Sequence, residues 1–146
     1  MKRPAAANRE SFRAFVSLQT RWADNDEYGH MNNATYLSLF DTALSLWQMQ
    51  NGLDIRGPQA LRFLVVESGC KYHAEIGFPD ALTAGLRLAH LGTSSYRVEI
   101  GLFRGDSAQA AAEGFFAQVL VDNSTASPRP IPDAVRKTLS QLLPVT

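Results

Sequence analysis

A short polar segment carries most of the side chains in this chain that could do chemistry. It runs from Ala23 to Asn33 in the order Ala-Asp-Asn-Asp-Glu-Tyr-Gly-His-Met-Asn-Asn. Adjacent asparagines before an apolar stretch are typical of a helix N-terminus, where the first backbone N–H groups lack partners and the helix dipole is positive. Such an N–H group suits an oxyanion, and a nearby carboxylate can act as a nucleophile or a base. Taken alone, however, Asp26 is more typical of a carboxylate that caps a turn.

Motifs of several enzyme classes are absent from the sequence. There is no Gly-x-Ser-x-Gly elbow, no P-loop, no Gly-x-Gly-x-x-Gly motif and no paired-histidine zinc spacing. The single cysteine, Cys70, excludes a multi-cysteine zinc site and is typical of a packed side chain rather than a nucleophile. Asp24 and Asp26 resemble the start of a calcium-binding loop, but Tyr28 and Thr35 stand where that loop needs oxygen-rich ligands. We therefore expect no metal and no cofactor.

The composition predicts one cytoplasmic domain. The chain has 146 residues, 45% of them hydrophobic, and its 14 basic and 14 acidic side chains cancel. A neutral chain lacks the clustered positive field that binds nucleic acids or anionic membranes. No window approaches the roughly 20 apolar residues that span a bilayer, and we expect no secretory leader. Because one cysteine also suits a reducing compartment, we expect a cytoplasmic location and no nucleic-acid or membrane partner.

The polar segment connects a strand to a long helix. Apolar side chains alternate with polar ones from Phe12 to Trp22, as in a strand with one buried face. From Ala34 to about Gln50, apolar residues recur every three or four positions and leave only a narrow polar stripe. This spacing predicts a mostly buried helix, so the segment lies at the start of that helix.

The second half of the chain predicts an antiparallel sheet. Apolar runs cover about 61–73, 82–91, 94–104 and 109–122, and the turns between them are too short for crossover helices. We expect these runs to form a four-stranded meander, and Pro132-Asp133 to open a short amphipathic C-terminal helix. The prediction is an α+β fold, with a five-stranded antiparallel sheet wrapped around a long central helix. It forms a single domain over residues 11–146 after a flexible N-terminus at 1–10.

The polar segment and four later motifs resemble one family. The Asp-x-Asp-x-x-Gly-x-x-x-x-x-x-Tyr pattern from Asp24 to Tyr36 resembles the signature of the 4-hydroxybenzoyl-CoA thioesterase-like branch of the hotdog superfamily. In that branch the pattern joins the first strand to the central helix, so the resemblance implies the same hotdog fold here. It covers about Phe12 to Val135 and continues in Val65–Tyr72, Leu91–Tyr96, Ala112–Gly114 and Pro130–Pro132.

The resemblance implies hydrolysis of an acyl-CoA or related acyl thioester to the free acid and thiol. By this resemblance Asp26 is the catalytic carboxylate, and the backbone N–H of Asn33 is the oxyanion donor. Asp24 is expected to shape the loop, and the Asn32 and Asn33 side chains have an ordinary role as helix caps. The candidates for substrate binding are His30, Asn32, Glu67, Ser68 and Arg97.

The resemblance also implies that two chains complete each pocket. A lone five-stranded sheet leaves edges exposed, and pairing them across a two-fold axis hides them. We expect a homodimer or homotetramer, with Phe115 or Phe116 on the outer sheet face that a tetramer would bury. Glu67 and Ser68 would approach the partner's helix start, although a polar face toward solvent or a subunit is their more common role.

Several alternatives stay open at this point. A hotdog dehydratase for hydroxyacyl thioesters would need a histidine acting with a carboxylate, and His30 follows Asp26 in the same loop. A non-catalytic acyl-thioester binding module would keep the pocket without turnover. Some members bind the CoA phosphates with a basic cluster before the fourth strand, where this chain has Gly92-Thr93-Ser94-Ser95. The carrier is therefore either CoA, held by cations elsewhere, or an acyl carrier protein.

Overall fold

The elements follow the predicted order closely. A computed structural model describes residues 5–145. In chain order its elements are β1 Ala14–Gln19, α1 Asn33–Gln50, β2 Arg62–Tyr72, β3 Ala81–Leu91, β4 Ser95–Arg104, β5 Ala112–Val121 and α2 Asp133–Ser140. Single 3₁₀ turns at Arg9–Ser11 and Trp22–Asp24 flank β1. The predicted α+β fold, with five antiparallel strands, a long helix and a short C-terminal helix, is confirmed.

The sheet has the strand order β1-β3-β4-β5-β2, and every neighbouring pair is antiparallel. Strands β3, β4 and β5 form the expected hairpins, but β2 pairs with β5, so the predicted four-stranded meander is wrong at its first link. The turn after β2 does form, because the Asp80 N–H donates to the Gly77 carbonyl at 2.8 Å. It cannot close a hairpin because β3 already has β1 and β4 on its two edges.

Helix α1 packs on the inner face of this sheet and supplies much of the core. Inner-facing residues of β3 and β4 are fully buried, and the alternation of buried and exposed positions agrees with strands that have one buried face. Burial of each large apolar side chain contributes about 1.5–3 kcal/mol. On β5, Phe116 is 5% exposed and belongs to this core, so only Phe115 faces the outer side.

The free edge of β2 is apolar and exposed. β2 has a neighbour on one side only, and its residues Leu64, Val65 and Val66 are 38%, 48% and 66% exposed. The pairing register with β5 shifts between Val65 and Glu67, so Val66 has no partner in the ladder. An apolar free edge of this kind offers unpaired backbone groups to another strand.

The segment before β1 is hydrogen-bonded to the turn between β4 and β5. Ala7 donates its N–H to the Glu113 carboxylate at 3.1 Å and accepts the Ala110 N–H at 2.9 Å. The Arg9 guanidinium donates to the Ser107 carbonyl at 2.7 Å. Residues 1–4 of the expected flexible N-terminus lie outside the described residues, whereas Ala7 and Arg9 of the same stretch make these contacts. Within residues 5–145, no helix is long and apolar enough to cross a membrane.

α1 packs tightly against the sheet at Gly114. A Cβ built at this position would lie 2.7 Å from Cδ2 of Phe40, a fully buried residue of α1. We predict that Gly114→Ala lowers the free energy of unfolding by about 1–3 kcal/mol, because it overpacks a filled core. Denaturant unfolding measures this loss. Adding Phe40→Leu should recover part of it, since the ring atoms in conflict are removed; a neutral Gly114→Ala, or strictly additive losses, would contradict this packing.

Candidate active site

Hydrogen bonds of Asp24 link the two ends of the polar loop. Its side chain is 2% exposed and accepts the Arg21 backbone N–H at 2.7 Å and the Arg21 guanidinium at 2.8 and 3.0 Å. Its carbonyl accepts the Asn32 N–H at 2.9 Å, immediately before α1 begins. Asp24 therefore has the loop-shaping role that the sequence predicted.

Asp26 caps a turn with one carboxylate oxygen, and the other accepts no hydrogen bond from the described residues. Its Oδ1 accepts the backbone N–H groups of Tyr28 at 2.8 Å and His30 at 3.1 Å. Its own N–H donates to the His30 carbonyl at 2.6 Å. No residue in the described part of the chain donates a hydrogen bond to Oδ2. The capping role and availability of one oxygen to a ligand are therefore compatible.

The first backbone N–H of α1 donates no hydrogen bond within the described part of the chain. The Asn32 side chain caps the helix by accepting the Ala34 N–H at 2.9 Å, and the Asn32 carbonyl accepts the Thr35 N–H at 2.9 Å. Between them, the Asn33 N–H has no acceptor among residues 5–145. The helix has 18 residues and no acidic side chain in its first turn, so no residue of that turn offsets the positive end of its dipole.

Asp26, His30 and Asn33 line one cavity of about 310 Å³. The other lining residues come from the loop, the first turn of α1, the end of β2 and the segment after it, and they are Met31, Tyr36, Tyr72, His73, Ala74, Glu75 and Ile76. The loop is joined to that wall because the Met31 N–H donates to the Ile76 carbonyl at 3.1 Å. Asp26, which has a carboxylate oxygen without a hydrogen bond from the described residues, and Asn33, the first residue of α1, thus border a common space.

His30 has a carboxylate partner across the cavity mouth. Its Nε2 lies 3.1 Å from Glu75 Oε2, and the two side chains are 52% and 76% exposed. An exposed ion pair adds little to stability, but a single hydrogen bond suffices to orient an imidazole.

Sequence reasoning missed Tyr36, Tyr72 and Glu75 as residues of this cavity. The first two end motifs that were recognised, but nothing local indicated that they meet: their rings pack edge to face with centroids 4.8 Å apart. Burial raises the pKa of Tyr36 to about 12 and the pKa of the Cys70 thiol to about 11. Cys70 therefore stays protonated at neutral pH and packs against the core, as predicted for a non-nucleophilic cysteine.

Glu67, Ser68 and Arg97 do not line this cavity in the same chain. Glu67 and Arg97 both pair with Ala117, which puts them on the outer sheet face. There the Arg97 guanidinium lies 3.8 Å from the Glu67 carboxylate and 3.7 Å over the Phe115 ring. Ser68 pairs with Phe116 and is exposed at the free edge of β2. Because successive residues of a strand face opposite sides of the sheet, the side chains of Glu67 and Ser68 cannot line the same surface.

A family model described as the thioesterase-like superfamily matches residues 20–139. The chain belongs to this superfamily. The match includes the polar loop, the whole of α1 and strands β2 to β5, whereas β1 ends at Gln19, immediately before the match begins. Among curated proteins, none matches the chain significantly.

Solved structures agree with this assignment. The PA5185 protein from Pseudomonas aeruginosa is 41% identical, with 96% of this chain and 97% of that chain covered and a TM-score of 0.90. A thioesterase from Thermus thermophilus, complexed with coenzyme A and Zn, is 28% identical over 91% and 96% of the two chains, with a TM-score of 0.72. A 1,4-dihydroxy-2-naphthoyl-CoA thioesterase from Synechocystis, at 18% identity, shares the fold with a TM-score of 0.79 over 88% and 96%.

The family and its solved members support thioester hydrolysis as the general activity of this chain. Within the described residues, no group of three or more histidine, cysteine, aspartate or glutamate side chains is arranged to hold a metal ion.

The buried Tyr36 phenol and the half-buried Cys70 thiol predict a loss of stability at alkaline pH. Cys70 and Tyr36 have folded-state pKa values of about 11 and about 12, above their ordinary values of 9.0 and 10.0. The folded state therefore holds these protons more tightly, so stability is full below pH 9.0 and falls as the pH rises through about 11. Denaturant unfolding across this range should show the fall, and Cys70→Ala should reduce it. A free energy of unfolding that stays constant up to this pH would contradict the burial of both groups.

Proposed function

We propose that this protein hydrolyses acyl-CoA thioesters, with Asp26 as the catalytic carboxylate and the Asn33 N–H as the oxyanion donor. The observation that carries the proposal is a pair of unused groups in one cavity. Within residues 5–145, Asp26 Oδ2 accepts no hydrogen bond and the Asn33 N–H donates none, and both residues line the same space. A carbonyl group bound between them would meet a base or nucleophile on one side and a hydrogen-bond donor on the other.

The chemistry follows from these two groups. Attack on the thioester carbonyl carbon moves an electron pair onto the carbonyl oxygen, and the Asn33 N–H and the positive end of α1 stabilise the resulting charge. Asp26 Oδ2 acts in one of two ways. Either it attacks the carbonyl carbon itself, and breaking of the C–S bond releases the thiolate and leaves an acyl anhydride that water then hydrolyses, or it takes a proton from an attacking water, and breaking of the C–S bond releases the thiolate and the free acid. Because thiols have a pKa of about 8.5, departure needs little help from an acid.

The loop geometry supports different roles for the two carboxylate oxygens of Asp26. Hydrogen bonds from Tyr28 and His30 hold Oδ1 in the loop, so the orientation of Oδ2 is fixed before substrate binds. His30, held by Glu75, is proposed to contact the substrate at the cavity mouth. Asn32 contributes indirectly, because its cap determines where the helix begins and which N–H is left free.

Coenzyme A is the proposed carrier, and an acyl carrier protein is the alternative. The Thermus thermophilus relative, at 28% identity, is complexed with coenzyme A, which supports the first choice. Arg97, a candidate cation for the CoA phosphates, is engaged by Glu67 and Phe115 on the outer face. A phosphate contact by Arg97 would therefore come from a second subunit rather than from its own chain. The cytoplasmic location stays a prediction that rests on the composition.

We further propose a homodimer that forms through the free edge of β2, with a homotetramer as its possible further assembly. The edge is apolar, its backbone groups are unpaired on one side, and the cavity wall continues directly from it at Tyr72. Pairing of this edge with a second copy would hide Val65 and Val66. It would also bring Ser68, which is exposed at this edge, close to the partner's cavity, where we propose that it contacts substrate, whereas Glu67 stays on the outer face with Arg97.

Removal of the Asp26 charge tests the proposed chemistry. Asp26→Asn keeps an oxygen that accepts the Tyr28 and His30 N–H groups, so the loop should stay folded. We predict that turnover of acyl-CoA substrates falls by at least about a hundredfold, measured as free thiol release. Glu27→Gln, an equivalent change at the next, exposed residue, is the control and should keep normal activity. Near-normal turnover by folded Asp26→Asn would exclude this carboxylate from the reaction.

A charge at the β2 edge tests the dimer. Val66→Lys places an ammonium group on the most exposed apolar position of the edge, and we predict a shift to a 16.0 kDa species with reduced specific activity. Val145→Lys makes the same change at a residue that is 74% exposed but lies outside the sheet, and it should leave the mass unchanged. Sedimentation across a wide concentration range measures both. An unaltered assembly of Val66→Lys would place the subunit contact elsewhere.

A further inference from the structure

The Tyr36 hydroxyl is a buried hydrogen-bonding group that the mechanism proposed above does not use. Tyr36 is 4% exposed, and its ring packs edge to face on the ring of Tyr72. Within residues 5–145, this hydroxyl forms no hydrogen bond, and no unpartnered side-chain oxygen or nitrogen there is sealed from solvent. The hydroxyl therefore keeps contact with solvent, and the cavity that Tyr36 lines with Asp26 and Asn33 provides that contact.

This hydroxyl is a hydrogen-bond donor at neutral pH. Burial raises the pKa of Tyr36 to about 12, and the neighbouring Cys70, Tyr72 and Glu75 act in the same direction. A protonated phenol donates one hydrogen bond. A ligand that covers the hydroxyl without accepting this bond leaves a desolvated polar group unpaired, which costs binding free energy. A well-matched ligand therefore supplies an acceptor atom at this point of the cavity.

The buried lining residues mark the closed end of the cavity. Met31, Tyr36 and Ile76 are 3%, 4% and 3% exposed, whereas the side chains of His30 and Glu75 at the mouth are more than half exposed. Because the carrier of a thioester has to extend out through the open side, the acyl group lies toward the closed end. The volume of about 310 Å³ is small for a ligand pocket, so it suits a short acyl group.

Tyr36 lies one turn of α1 away from the proposed oxyanion donor at Asn33. Residues three apart on a helix are neighbours on one face, with Cβ atoms about 5–6 Å apart, and helix side chains tilt toward the N-terminus. The Tyr36 side chain therefore leans toward the turn that begins at Asn33. A thioester whose carbonyl oxygen accepts the Asn33 N–H thus has the next few atoms of its acyl group within reach of the Tyr36 hydroxyl.

From these observations, and resting on the proposed thioesterase function, we propose that the Tyr36 hydroxyl binds an oxygen on the third carbon of a short acyl group. The substrate class is a short 3-oxoacyl thioester, whose second carbonyl oxygen accepts the phenol hydrogen. Asn33 then holds one oxygen of the substrate and Tyr36 the other, which orients the thioester relative to Asp26. An unsubstituted acyl group of the same length would cover the hydroxyl and leave it unpaired, and this difference is the source of the discrimination.

The test compares kcat/KM for acetoacetyl-CoA and butanoyl-CoA, which differ by the oxygen on the third carbon, in the wild-type protein and in Tyr36→Phe. The 3-oxo group also changes the intrinsic reactivity of the thioester, but this effect is the same for both proteins. We expect the ratio of the two kcat/KM values to fall by at least about tenfold in Tyr36→Phe. The ratio for 5-oxohexanoyl-CoA and hexanoyl-CoA, whose oxygen lies two carbons farther out, should be the same in both proteins. An unchanged ratio for the first pair, or an equal or larger fall for the second, would overturn the proposal.

Tyr72→Phe is the matched control. It removes the hydroxyl of the neighbouring ring, which belongs to a residue that is 41% exposed and can be satisfied by water, and it should retain the wild-type ratio. Tyr36→Phe keeps the ring and its packing on Tyr72. Because the Tyr36 hydroxyl has no partner in the described part of the chain, this variant should melt at or above the wild-type temperature. A clear loss of stability in Tyr36→Phe, or loss of the substrate preference in Tyr72→Phe instead, would contradict the assignment.

Binding of inert analogues separates this proposal from the proposed hydrolysis. Analogues of acetoacetyl-CoA and butanoyl-CoA in which a methylene group replaces the thioester sulfur cannot be hydrolysed, and calorimetric titration measures their Kd. We expect the 3-oxo analogue to bind the wild-type protein at least about tenfold more tightly, and this difference to disappear in Tyr36→Phe. Turnover of both thioesters with the same ratio in the two proteins would refute this site alone. The difference in Kd without turnover of either thioester would refute the proposed hydrolysis and leave this site supported, and the absence of both would refute both proposals.

Discussion

The packing of α1 against the inner face of the sheet is the interaction on which the rest of the structure depends. The fully buried Phe40 ring occupies space that only a glycine at position 114 leaves open, so the helix lies closer to β5 than a side chain would allow. Because one face of α1 is buried against the sheet, the position of its first turn relative to the sheet is also fixed. The unpartnered Asn33 N–H is therefore held by the core, while the Asp24 carbonyl and the Asn32 side chain determine how the loop reaches it. A donor positioned before substrate binds needs no reorganisation during the reaction.

Much of this fold is readable from the sequence because its elements have strong local periodicity. The helix was predicted from Ala34 and begins at Asn33, and the four apolar runs of the second half all became strands. Strand neighbours were predicted less well. A turn such as Gly77–Asp80 indicates a change of direction but carries no information about which edges are free, so β2 was wrongly paired with β3. The sequence also did not indicate which of two adjacent phenylalanines on β5 faces inward. The structure assigns Phe116 to the core and Phe115 to the outer face.

Part of the candidate site could likewise be predicted from the sequence, and part could not. Asp26, His30 and Asn33 lie within a single loop and helix start, so their proximity follows from sequence distance, and one cavity includes all three. Tyr72 and Glu75 join them only through long-range packing of the segment after β2, which no local pattern encodes. The hydrogen bonds that the buried Tyr96 hydroxyl forms with Gln48 and Gln118 could not be predicted either, because two glutamines on different elements form no sequence motif. Glu67 and Arg97, selected by resemblance, face away from the cavity because of strand alternation.

The central claim is that a thioester carbonyl binds between Asp26 and the Asn33 N–H. A crystal structure of the Asp26→Asn variant with an intact acyl-CoA thioester tests it most directly. The account predicts a carbonyl oxygen about 3 Å from the Asn33 nitrogen, with the side chain at position 26 facing the carbonyl carbon. A thioester bound in the cavity with its carbonyl oxygen on any other donor, or with its carbonyl carbon out of reach of position 26, would contradict the account.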